Sequence, residues 1–164
     1  MTAISPYKIL FVCMGIICRS PAGEAVMRKL VEDEGLEDQI HCDSAGTISF
    51  HGGDPPDRRM HQAAANRGIQ TGGQARQVRV GDLETFDRVL AMDRDNLRDL
   101  LALAETESHR KRIRPFCDYC DEHENRDVPD PYYGSAQGFE LVLDLLEDGC
   151  SQLLDEAKSE LGLR

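Results

Sequence analysis

An α/β fold, with a four-stranded parallel doubly wound sheet and helices on both faces, is what the 164-residue chain predicts, and three observations carry that prediction. Short apolar runs alternate with stretches of helical periodicity, which is the pattern of parallel strands joined by right-handed helical crossovers. The first run, K-I-L-F-V-C at 8–13, is apolar without alternation, as in a strand buried on both faces. A tight loop then leads directly into a helix, so the first unit reads as strand, loop, helix.

Ser20 followed by Pro21 marks the start of that helix, the serine as cap and the proline at the first helical position. Ala22, Val26 and Leu30 then recur at helical spacing. Residues 39–47 read as a second strand running into a polar loop, and 56–67 as a helix ended by Gly68. Residues 87–92 (D-R-V-L-A-M) read as a third strand, Asp93 to Ala104 as a leucine-rich helix, and 112–117 as a fourth strand. Phe139, Val142, Leu143, Leu146, Leu153 and Leu154 place a long helix over 136–161. The polar segment 105–131 reads as one long surface excursion. With no linker or repeat, one domain over 1–164 is expected.

The formal charge of −11 disfavours nucleic acid and anionic membranes as partners, because the far field repels polyanions. A small phosphorylated substrate stays open, since a local donor array outweighs a screened distant field. No run approaches the ~18 apolar residues of a membrane span. The N-terminal residues lack the basic-then-apolar pattern of a secretion signal. A cytoplasmic protein with its six cysteines as thiols is therefore expected.

The segment C-M-G-I-I-C-R-S (13–20) carries the chemistry. Backbone N–H groups of a strand-to-helix loop can curl around an anion, and the helix N-terminus adds partial positive charge. The same field favours a thiolate at Cys13. Arg19 suits bidentate contact with two phosphoryl oxygens. Ser20 either caps the helix or donates its hydroxyl to the thiolate; the residues alone leave both open. The plain alternative is a cysteine that merely fills the end of a buried strand.

The run V-C-M-G-I-I-C-R-S-P resembles the phosphate loop of the low-molecular-weight protein tyrosine phosphatases. D-S-A-G-T (43–47), P-P-D-R-R-M (55–60), A-R-Q (75–77), A-M-D-R-D-N-L-R-D-L (91–100) and V-P-D-P-Y-Y-G (128–134) continue the resemblance in the family's order over nearly the whole chain. It implies hydrolysis of phosphotyrosine or aryl phosphate monoesters through a phosphocysteine intermediate. Cys13 is then the nucleophile, Arg19 the clamp and Asp130 the general acid. The loop amides of Met14, Gly15, Ile16, Ile17, Cys18, Arg19 and Ser20 would hold the phosphoryl group. Phe50 and Tyr132 would flank the substrate ring with Met14 on the floor, while Ser20 and Ser44 would brace the loop. Asp130 has local support too, because Pro131 holds the residue before it out of helical geometry. No cofactor or metal is implied, and a monomer or weak dimer is expected. Cys18 would be placed for a reversible disulfide with Cys13. Tyr132 and Tyr133 resemble a pair that is phosphorylated in some relatives.

Two departures bear on activity. Ile16 stands where the family has a loop asparagine in left-handed backbone geometry, which costs an ordinary L-residue roughly 1–2 kcal/mol. Gly73 stands where relatives often carry a bracing histidine. Reduced but real phosphatase turnover is expected, with a phosphate-binding relative without turnover as the alternative. An arsenate reductase of the same fold needs two further cysteines, and none occurs from 43 to 116. A pure phosphotyrosine-binding adaptor would need neither Cys13 nor Asp130. C-D-Y-C-D-E-H (117–123) has one cysteine pair and a histidine, short of a tetrahedral zinc set. His41, His51, His61 and His109 form no cluster in sequence.

Overall fold

The computed structural model describes residues 5–14, 19–47, 57–72, 76–124, 126–129 and 136–163. Strand β1 spans Tyr7–Cys13 and helix α1 Arg19–Asp33. Strand β2 (Ile40–Gly46), helix α2 (Arg58–Ala65), the short helix α3 (Asp82–Thr85) and strand β3 (Arg88–Ala91) follow. The chain continues with helix α4 (Arg94–Leu103), helix α5 (Glu107–Arg112), strand β4 (Ile113–Pro115), a 3-10 turn (Phe116–Tyr119) and helix α6 (Ala136–Glu160).

The four strands pair in parallel in the order β2-β1-β3-β4, as the alternation of strands and helices predicts. The chain steps from β1 outward to β2, then returns past β1 to β3. The carboxyl ends of β1 and β3 thus flank the point where the winding reverses, the place where open α/β sheets leave a crevice.

Alternation along β1 supplies both halves of the core. Ile9, Phe11 and Cys13 join one cluster with Ala22, Val26 and Met27 of α1 and Val142, Leu143 and Leu146 of α6. Leu10 and Val12 join the other with Val89, Leu83 of α3 and Leu100 of α4. A strand apolar from Ile9 to Cys13 is therefore buried on both faces, each fully buried side chain contributing about 1.5–3 kcal/mol.

Three expectations are corrected. Helix α1 already includes Arg19, ahead of Pro21, so Ser20 lies inside the helix and is not its cap. Segment 105–131 is not a surface excursion: it contains α5, β4 and the 3-10 turn, and Phe116 and Val128 are fully buried. The helix at 56–67 is shorter than expected, with Asp57 as its cap through an acceptor bond from the Arg59 N–H (2.8 Å). The chain then leaves α2 through Gly68, whose φ of +75° suits glycine.

Candidate active site

The last residue of β1 and the first two of α1 converge. Cys13 Sγ lies 3.0 Å from Ser20 Oγ, with both residues buried. Of the two sequence readings of Ser20, a hydroxyl beside the sulfur is the one realised. The positive end of α1 faces the same point, a suitable setting for an anion or a thiolate.

Arg19 is 2% exposed, unusual enough for a guanidinium that its anchoring decides its role. Its Nη1 donates to Asp93 Oδ2 (2.6 Å) and to the Val128 carbonyl (3.0 Å). Asp93 lies two residues past β3 and caps α4, accepting the Asn96 backbone N–H at Oδ1 (2.8 Å). The pair Arg19–Asp93 therefore spans the crevice between the ends of β1 and β3.

Neighbouring backbone is tied to the same place. Thr47 donates its N–H to the Cys13 carbonyl (2.8 Å) and its hydroxyl to the Met14 carbonyl (3.2 Å). The Met92 N–H bonds the Val12 carbonyl (3.0 Å), and the Val128 N–H bonds the Met92 carbonyl (2.7 Å). Val128, two residues before Asp130 in sequence, is thus fastened to Met92 just past β3 and to Arg19. Met14 itself exposes its side chain.

Ser44 donates its hydroxyl to Glu24 Oε1 (2.9 Å), while Glu24 Oε2 pairs with Arg28 (2.8 Å). Burial raises the Glu24 carboxyl above its ordinary value, against the pull of Arg28 and the Ser44 hydrogen bond.

Gly15, Ile16, Ile17, Cys18, Phe50, Gly73, Asp130, Tyr132 and Tyr133 lie outside the described residues. Of the expected site residues within them, Cys13, Met14, Arg19 and Ser20 come together, and Ser44 sits beside them on β2 through Glu24. Asp93, Asn96, Thr47 and Glu24 were not singled out from the sequence. Asp93 had a readable signal, an acidic cap between an apolar strand and a leucine-rich helix; a buried glutamate on α1 had none.

The cysteines at 117 and 120 lie beside each other after β4. Hydrogen bonding between the two thiols raises Cys117 and lowers Cys120, and His123 Nδ1 engages Asp148 Oδ2 (2.7 Å). Among the described residues no group of three or more His, Cys, Asp or Glu is placed to hold a metal ion. None of their helices is long and apolar enough to cross a membrane.

The sequence profile of the family described as "Low molecular weight phosphotyrosine protein phosphatase" matches residues 8–162. The chain belongs to this family. It is a protein-tyrosine-phosphatase, a hydrolase of phosphoric monoesters. Among its relatives, the Bacillus subtilis low molecular weight protein-tyrosine-phosphatase YfkJ is 43% identical over 93% of this chain and 97% of its own. The Gallus gallus low molecular weight phosphotyrosine protein phosphatase is 39% identical over 95% and 99%. The phosphatase also superposes on a crystal structure of a protein tyrosine phosphatase from Entamoeba histolytica with a TM-score of 0.90, at 44% identity over 95% of this chain and 98% of that one.

Proposed function

We propose that the phosphatase works through a phosphocysteine at Cys13, in one catalytic domain comprising residues 1–164. The observation that supports this most strongly is the juxtaposition of Cys13 Sγ with Ser20 Oγ, beside an arginine anchored by Asp93. Cys13 as thiolate attacks phosphorus, and the bond from phosphorus to the aryl oxygen breaks. Asp130 gives its proton to the departing oxygen. Water then attacks the phosphocysteine while Asp130 takes the water proton, releasing phosphate and restoring the thiolate.

Arg19 and the loop amides from Gly15 to Ser20 hold the charge spread over the equatorial oxygens, whereas the Met14 N–H, expected among them, faces the Asn96 carboxamide. Fixing the guanidinium beforehand removes a reorganisation cost at the moment of transfer. Ser20 stabilises the thiolate by donating to it. Phe50 and Tyr132 flank the ring of a phosphotyrosine protein or a small aryl phosphate, and Ser44 supports the loop from β2.

Ile16 and Gly73 lower turnover by weakening the bracing of the loop. The phosphatase acts in the cytoplasm as a monomer or weak dimer, without nucleic acid, membrane or cofactor.

Steady-state hydrolysis of p-nitrophenyl phosphate at mildly acidic pH tests these roles. Turnover should vanish in Cys13→Ser, fall at least a hundredfold in Asp130→Ala, and rise in Ile16→Asn. Absent wild-type turnover with vanadate still bound would leave a phosphate-binding relative instead.

A further inference from the structure

We propose that Asn96 is a positioning residue for phosphoryl transfer, tying the first residue after Cys13 to the anchor of Arg19. Asn96 is 1% exposed, in the first turn of α4. A carboxamide buried so completely is costly unless both its ends are hydrogen-bonded. With its nitrogen toward Asp93, Nδ2 donates to Asp93 Oδ1 (3.1 Å) and Oδ1 accepts the Met14 N–H (3.2 Å). That orientation satisfies both ends.

The consequence is a continuous link across the crevice. The Met14 amide bonds Asn96, Asn96 bonds one oxygen of Asp93, and the other oxygen of Asp93 holds Arg19 Nη1. Met14 is held from its other side by Thr47, whose hydroxyl bonds the Met14 carbonyl. The direction in which the chain leaves Cys13 and the placement of the Arg19 guanidinium are thus linked through one side chain, although Asn96 touches neither sulfur nor substrate. Capping α4 does not require it, since Asp93 already accepts the Asn96 backbone N–H. The carboxamide instead connects the helix start to the loop.

This inference rests on the reading of Cys13 to Ser20 as the reacting site. Its test compares kcat/KM with the inhibition constant of vanadate, which mimics the five-coordinate transition state, in Asn96→Leu and Asn96→Asp. Leucine keeps the size and removes both hydrogen bonds. Aspartate keeps the acceptor for Met14 but sets a carboxylate against Asp93, and it serves should the leucine variant fail to fold. In variants that remain folded at the assay temperature, kcat/KM should fall about tenfold or more, with vanadate binding weakened by the same factor. A structural role alone would lower the melting temperature and leave both constants unchanged, and that result overturns the proposal. So does a loss of kcat/KM without a matching loss of vanadate affinity. Turnover surviving Cys13→Ser would instead bring down the underlying reading, whereas an inactive Cys13→Ser beside a wild-type Asn96→Leu removes only this inference.

Discussion

The two carboxylate oxygens of Asp93 serve different elements: Oδ2 holds Arg19 at 2.6 Å, and Oδ1 caps helix α4 through the Asn96 N–H at 2.8 Å. The end of β3 thereby orders both a helix and the arginine that begins another helix. Coupling of this kind means that a change at Asp93 shows up in stability and in turnover together.

Asp93→Ala should lower stability by about 3 kcal/mol or more, because it strips a buried guanidinium of its carboxylate and removes a helix cap. It should also lower kcat/KM by at least about tenfold, the scale of one charge-assisted contact. Urea unfolding and steady-state kinetics on the same preparation check both effects. Normal turnover in the destabilised variant would show that Arg19 needs no anchor.

Ser20→Ala removes the hydroxyl that lies 3.0 Å from Cys13 Sγ. The rate of Cys13 alkylation by iodoacetate at mildly acidic pH should drop about tenfold or more, since one hydrogen bond to an ionised group contributes about 1.5–3 kcal/mol. An unchanged rate would mean that the hydroxyl does not stabilise the thiolate.

Glu24 gives a pH signature of definite sign. Burial raises its carboxyl above the ordinary 4.5, so the folded state binds this proton more tightly than the unfolded chain. Wild-type stability attributable to Glu24 is present at low pH and is lost as pH rises from 4.5 through the raised value. Melting temperatures of Glu24→Gln should therefore gain on the wild type over that climb. Parallel curves would refute the shift.

His123 and Asp148, the latter in the middle of α6, give a second pH dependence of the same sign at higher pH. Asp148 raises His123 above its ordinary 6.5, chiefly through their hydrogen bond. Burial works against Asp148, yet His123 and the amides of Asp121 and Glu122 hold it below its ordinary value. The His123 contribution is complete below pH 6.5 and disappears as pH passes the raised value. The melting-temperature gap between wild type and Asp148→Asn should narrow over that range, with kcat untouched.

Much of this was legible in the chain. The apolar run at 8–13, the cap and leucines after Asp93, and the periodicity of 136–161 each follow from burial, and the sheet order is consistent with them. Helix α5 escaped because E-S-H-R-K-R has no apolar stripe; Thr106 caps it (3.1 Å to the His109 N–H), and its buried residue is a histidine. Helix α3 is too short for periodicity and offers one buried side chain, Leu83. In the site, Cys13, Arg19 and Ser20 could be read because they are neighbours in sequence. The bonds that organise them, from Asp93 and Asn96, cross more than 70 positions of chain, and only the β1–β3 pairing brings those residues together.

The most direct test of the account is to trap the covalent intermediate. Wild-type phosphatase mixed rapidly with a phosphotyrosine peptide and quenched within a turnover should carry one phosphoryl group on the sulfur of Cys13, located by mass spectrometry of the proteolysed chain. The group should persist longer in Asp130→Ala and be absent in Cys13→Ser. A phosphoryl group on another residue, or turnover with Cys13 replaced, would contradict the assignment of Cys13 as the nucleophile.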